Sequence, residues 1–358
     1  MIGSAHLSSR TRNWLPSVRS LGEIINVVYY KKPFGILLDN NTTRMVGLFI
    51  AVFILCSLLQ GKNFLSADNF LAMFRQFPEY GLLAIGIGMA LIIGGIDLSA
   101  VYLANLSSIV AGLFVHAFYT GNGEGGTGLI LVSFVIAIAI GALGGILNGV
   151  LISGLGIPAM LATLGTQSLF WGIGVVLTGG STLSKFPDVL GIMINWKIGF
   201  LPVTVIIFIA AAVASVIVVQ RTKLGREMKM YGTNNLTTTY SGLNNFRIVV
   251  LTHMIGGMLA ALSGIIMWGR YSSAKADTGS TYTMQAILIA VLGGVNPNGG
   301  SGSVSGIVLA VLIIQMLSSW LNMYTFIPNA CRQIVWGALL IIVMITNYYL
   351  DKKQKKRG

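Results

Sequence analysis

Apolar runs close to the length of a membrane crossing restrict this chain more than any other feature. Hydrophobic residues make up 54% of the 358 positions and charged residues only 9%, so most of the folded surface cannot face water. A helix needs roughly 20 apolar residues to cross about 30 Å of hydrocarbon. Ten runs approach that length, over 45–59, 82–93, 99–118, 129–152, 159–178, 200–220, 248–268, 282–294, 303–321 and 333–350. The pattern predicts an all-α polytopic membrane protein with about ten transmembrane helices. The runs 82–93 and 282–294 are short for a straight crossing, which predicts that they are tilted, broken or buried against neighbours.

Charge sets the expected orientation. An even number of crossings puts both ends on one side, and retained loops are rich in Lys and Arg. Sixteen of the 23 basic residues lie in three places: the segment before residue 45, the loop 221–247 and the last few residues. Those segments are predicted to be cytoplasmic. The other seven, Lys62, Arg75, Lys185, Lys197, Arg270, Lys275 and Arg332, fall in segments expected outside. The net charge of +13 is then a matter of orientation and attraction to membrane lipids, with no nucleic-acid partner implied. Three parts follow: a cytoplasmic tail over 1–44, a membrane domain over 45–350 and a basic tail over 351–358. The first part shows no signal peptide. Its apolar positions Leu15, Val18, Leu21, Ile25 and Val28 fit either a helix on the membrane surface or a disordered tail.

Catalytic chemistry has little to stand on. The segment 293–302 is rich in glycine but has no following lysine to hold a nucleotide phosphate. His6, His116 and His253 have no partner at ligand or triad spacing, and Cys56 and Cys331 form no framework. No catalytic residue, metal site or bound cofactor is expected in this chain.

Several polar and glycine positions inside the apolar runs invite a reading. Ile92-Ile93-Gly94-Gly95-Ile96-Asp97 echoes Val291-Leu292-Gly293-Gly294-Val295-Asn296, as broken helices in two related halves would. Chance similarity among Gly- and Ile-rich spans is the rival reading. Asp97 is either a cation site or part of a cap, with Ser99, on the helix that follows. Gly141, Gly145 and Gly149 recur every four residues, as do Gly302 and Gly306, which predicts close helix packing. Thr163, Gln167 and Trp171 share a face. With Asn105 they form candidates for a solute path, or else helix-to-helix hydrogen bonds.

Read together, Gly94-Gly95-Ile96-Asp97-Leu98-Ser99, Asn148-Gly149 and Ile157-Pro158 through Thr166 make the chain resemble the membrane subunits of bacterial ABC sugar importers. These are the ribose/xylose/arabinose-type permeases, autoinducer-2-type permeases included. The likeness runs from about residue 64 to 349 in consistent order. It covers Gly94, Gly95, Asp97 and Ser99 as a structural motif. The loop 221–247 is similar to the family's inner loop, whose short helix docks on an ATPase: Gly225 and Arg226 match its start, and Gly232, Asn234, Ser241 and Gly242 match in register. The family's Glu-Glu-Ala-Ala is replaced by Asn235, Leu236, Thr237 and Thr238, poorer helix formers at the threonines.

The resemblance implies a permease subunit in the bacterial inner membrane with both termini cytoplasmic. It implies an ATPase subunit carrying ATP and Mg, an extracytoplasmic solute-binding protein, and a second permease copy or sister permease. Two further readings stand at this point: a branched-chain amino-acid ABC permease, and an ion-coupled secondary sugar transporter using Asp97.

Overall fold

A computed structural model describes the backbone of residues 40–119, 126–324 and 334–345, and side chains from 43 onward. The helices are α1 (Asn40–Gln60), α2 (Ala67–Ile92), α3 (Ala100–Phe118), α4 (Gly126–Ser153), α5 (Ala159–Thr178) and α6 (Asp188–Asn195), then α7 (Val203–Arg221), α8 (Lys223–Thr233), α9 (Asn235–Tyr240), α10 (Asn245–Tyr271), α11 (Tyr282–Leu292), α12 (Val304–Asn322) and α13 (Ile334–Ile345). Between α6 and α7 the two-residue strands β1 (Lys197–Ile198) and β2 (Leu201–Pro202) pair antiparallel. The tail positions 15–28, read as a surface helix or a disordered tail, Cys331 and the basic tail 351–358 lie outside the described residues.

Seven described helices are long and apolar enough to cross a membrane: α1, α3, α4, α5, α7, α10 and α12. The fold is an all-α polytopic membrane protein. Two of the ten predicted runs differ from the structure in an instructive way. The run 82–93 is not a short helix but the end of α2, which is 26 residues long and begins with Ser66 accepting the Asn69 N–H. Arg75, Pro78 and Glu79 fall inside this helix, so the outer connection expected there is helical instead. Those charges hid the helix from a hydropathy reading; Phe77, Pro78 and Glu79 are buried there, and Arg75 is partly buried. The run 200–220 begins only at Val203, because 201–202 belong to β2. By contrast α11 has 11 residues, as short as expected.

Large apolar side chains such as Leu58, Leu143, Val176 and Ile209 are exposed on α1, α4, α5 and α7. A surface of this kind suits lipid. The interior is organised around α10, which packs on α4, α2 and α3. The glycine repeat of α4 makes this possible. A Cβ at Gly141 or Gly145 would overlap the carbonyl oxygens of Gly257 and His253, and one at Gly149 would stand 2.5 Å from Val250 Cα. Without side chains the two backbones touch, and dispersion contacts replace the hydrophobic drive that lipid removes. Gly306 does the same for α12: a Cβ there would overlap the carbonyl oxygen of Gly293.

Candidate functional site

The two glycine breaks end their helices in the same way. At the end of α2, Gly94 N–H donates to Leu91 O and Gly95 N–H to Ala90 O; at the end of α11, Gly294 N–H donates to Val291 O and Val295 N–H to Ala290 O. Gly94 and Gly294 have φ of +80° and +87°, the left-handed conformation that closes such a motif and that favours glycine. The helix stops therefore correspond at Gly94 and Gly294, one residue off the sequence echo, which pairs Gly94 with Gly293. The polar residues after them keep the echo's register. Asp97 Oδ1 accepts the Ser99 N–H at 2.9 Å, and Asn296 Oδ1 accepts the Asn298 N–H at 3.0 Å.

Asp97 is held locally. Its Oδ1 also accepts the Ser99 hydroxyl at 2.7 Å, and Asn148 Nδ2 donates to Ser99 Oγ at 2.8 Å. Ser99 is the N-cap of α3 but makes no side-chain cap bond; the turn-forming role belongs to Asp97. The carboxylate and the Asn148 amide of the sequence motif thus meet in one buried chain of hydrogen bonds. A second link comes from Thr163, whose hydroxyl donates to Ile96 O at 2.9 Å. That contact ties α5 to the break and gives Thr163 a structural partner.

The loop 221–247 folds into α8 and α9. Thr222 caps α8 through the Gly225 N–H, and Asn234 Oδ1 accepts the N–H groups of Leu236 and Thr237 to start α9. Gly242 closes α9 with φ +73° and has nothing within 4 Å of a Cβ position. Its glycine is required by backbone conformation, and not by a neighbour. On α9, Leu236 and Tyr240 are 64% and 90% exposed, while Arg226 and Ser241 are also at the surface.

Gly232 makes a connection that the sequence did not reveal. It lies where α8 crosses both breaks: a Cβ there would overlap Ile92 O and stand 2.5 Å from Gly300 N. Gly300 N–H donates to Ile92 O at 2.9 Å. A Cβ on Gly299 would stand 2.7 Å from Gly232 O and 2.9 Å from Gly94 Cα. Three backbones therefore interlock with no side chain between them: the end of α2, the loop after α11 and the last turn of α8. This junction borders an open cleft of about 690 Å³ whose other walls are the α4–α5 turn and the start of α10. Burial raises the Tyr231 phenol above its ordinary range, so this part of the wall is neutral.

The remaining candidates are dispersed. Asn105 is buried, and its Nδ2 donates to Ala276 O and Thr278 O in the segment between α10 and α11. Gln167 is half-buried, and Trp171 is 47% exposed. The stripe Thr163–Gln167–Trp171 thus runs from buried to exposed and does not converge with Asn105.

Sequence reasoning missed a buried ion pair. Glu79 has no solvent exposure; its Oε1 accepts Arg270 Nη1 at 2.6 Å and its Oε2 the Tyr282 hydroxyl at 3.1 Å. Tyr80 beside it donates to Gln315 Oε1. The available signal was that charges within apolar segments need partners, but Glu79 and Arg270 are 191 residues apart.

Residues 69–344 match the family described as branched-chain amino acid transport system / permease component. The chain belongs to this family. Autoinducer 2 import system permease protein LsrD of Yersinia enterocolitica is 31% identical over 293 residues, covering 80% of this chain and 86% of that protein. The proteins of the same name from Yersinia pestis strain Pestoides F and Yersinia pseudotuberculosis serotype O:1b are each 30% identical over 80% of this chain and 85% of theirs. No solved structure shows a significant match. The chain is thus a multi-pass membrane permease of the ABC importer type, a transport component in which both glycine breaks and the α8–α9 loop fall inside the matched region.

Proposed function

We propose that this permease is the membrane subunit of an ATP-driven importer for a sugar or sugar-like solute in the bacterial inner membrane. It crosses the membrane ten times with both termini in the cytoplasm. Two permease chains, two copies of this one or this one and a sister, enclose the path. A separate ATPase binds ATP and Mg, and an extracytoplasmic binding protein delivers the solute. The observation that carries the reading is the α8–α9 loop: α9 presents Leu236 and Tyr240 to the outside, while Gly232, just before it, is interlocked with both breaks. A partner gripping α9 can move both halves of the permease, and coupling is then a difference in contacts between two states. The autoinducer 2 import relatives favour a sugar-derived solute over an amino acid. Asp97, already engaged by Ser99, gives little support to ion coupling.

The test is Gly242→Val. A branched residue in the left-handed conformation costs about 1–2 kcal/mol, enough to change the short helix before it. The variant should insert normally yet lose ATPase co-purification and solute-stimulated ATP hydrolysis. Gly149→Val serves as control, because it should lower the amount of folded protein instead. Full coupling in Gly242→Val would remove the loop from the mechanism.

A further inference from the structure

We propose that the connection between α10 and α11, residues 272–281, turns back into the bilayer and lines a water-filled opening there, with Asn105 as the residue that positions it. Its depth is set by contacts on three sides. A Cβ on Gly264 would overlap Ala104 O, so Asn105 sits beside a point on α10 roughly 10 Å short of the Tyr271 end. Asn105 Nδ2 donates to Ala276 O at 3.0 Å and to Thr278 O at 2.9 Å, which draws the connection in to that level. On α5, a Cβ at Gly174 would lie 3.3 Å from Ala276 Cβ, so a membrane-crossing helix still runs alongside. The length of α11 agrees. Its 11 residues cover about 16 Å of the roughly 30 Å of hydrocarbon. One end of α11 is fixed at the glycine junction, so the missing length falls on the side of 272–281.

Non-helical backbone at membrane depth persists only where protein buries it or where it lines water. This segment does both by alternation. Ala274 and Ala276 are buried, and Ala274 exchanges two backbone hydrogen bonds with Leu183, at 2.9 and 3.0 Å. Lys275 and Asp277 are the exposed alternates, each about half exposed, with Nζ 3.1 Å from Oδ1. Ser280 is exposed as well. Charged groups facing hydrocarbon are costly, so this side of the segment faces water. Both Asn105 donations end on backbone carbonyls, and its role is to hold the wall of the opening. That the opening faces outward rests on the orientation proposed above; the experiment below is blind to sidedness, so the two can fail separately.

The experiment uses the full chain with Cys331→Ser in lipid nanodiscs, where both membrane faces are accessible. The probe is the cationic reagent 2-(trimethylammonium)ethyl methanethiosulfonate, which reacts with thiolates and is excluded from lipid by its charge. Labelling is timed by mass spectrometry at Asp277→Cys, Ser280→Cys, Ala276→Cys and Val176→Cys. Val176 is 81% exposed and lies beyond Gly174 toward the Thr178 end of α5, so it marks lipid at least as shallow as Ala276. The 277 and 280 variants should react, and the Val176 variant about a hundredfold more slowly. No reaction at 277 and 280 would show the segment covered, and rapid reaction at 176 would put this level outside the bilayer; either result overturns the opening. Adding Asn105→Ala should release the segment and raise labelling of Ala276→Cys about tenfold, while native Cys56, buried elsewhere, stays unlabelled. No rise at 276, or an equal rise at Cys56, would overturn the positioning role of Asn105.

Discussion

Glu79 and Arg270 show how unequal the two ends of one ion pair can be. Glu79 is fully enclosed, whereas the Arg270 side chain keeps 25% of its exposure and lies over the Tyr271 ring at 5.1 Å. Removing arginine strands a carboxylate in the protein interior, which for buried pairs costs about 3–5 kcal/mol. Arg270→Gln should therefore lower the temperature at which detergent-solubilised protein loses its monodisperse elution peak. Lys275→Gln is the comparison, since Lys275 and Asp277 are both about half exposed, and such pairs contribute about 0–1 kcal/mol. Adding Glu79→Gln to Arg270→Gln should recover much of the loss by abolishing the stranded charge. Equal melting of the Arg270 and Lys275 variants would mean that the buried pair is not a stabilising unit. Little of this was legible beforehand: Arg270 read as a charge of an outer segment, because its partner Glu79 lies 191 residues away.

Helices and their breaks were more legible than single contacts. The α5 bounds agree with the apolar run 159–178, since Pro158 and Gly179 mark its ends locally. The four-residue glycine spacing of α4 announced a close neighbour, but not that α10 would be the neighbour. The α8 register reads only as a docking loop in sequence; its packing on Ile92 and Gly300 depends on two breaks some 200 residues apart. This placement yields a prediction at the level of the element. Gly232→Ala forces a Cβ against backbone atoms that cannot rotate away, an overpacking of about 1–3 kcal/mol, while leaving the exposed face of α9 untouched. The ATPase should still co-purify, and solute moved per ATP hydrolysed in proteoliposomes should fall. An unchanged ratio would show that the junction does not transmit motion.

At the level of the whole molecule, the proposed orientation rests on the basic bias of the loops, and cysteine labelling tests it. In a background of Cys56→Ser and Cys331→Ser, a cysteine replacing Tyr240 on α9 should resist an impermeant maleimide in intact cells. One replacing Lys185, in the segment between α5 and α6, should react. Both positions are exposed, so accessibility within the protein does not confound the comparison, and the reverse pattern would invert the topology. The same labelling also tests whether the cleft opens to the cytoplasm, because Asn235 in its wall starts α9.

The membrane class, most helix positions, the two breaks and the polar loop 221–247 were settled by the sequence alone. The reason is that transfer into lipid and helix termination are local: each apolar residue, glycine or cap contributes within a turn or two of itself. The pairing of Glu79 with Arg270, the length of α2, the bonding of Asp97 through Ser99 to Asn148, and the meeting of Gly232 with both breaks were decided only by tertiary structure. Each depends on segments brought together by packing, where a buried charge or a missing side chain acquires its meaning from a partner far along the chain.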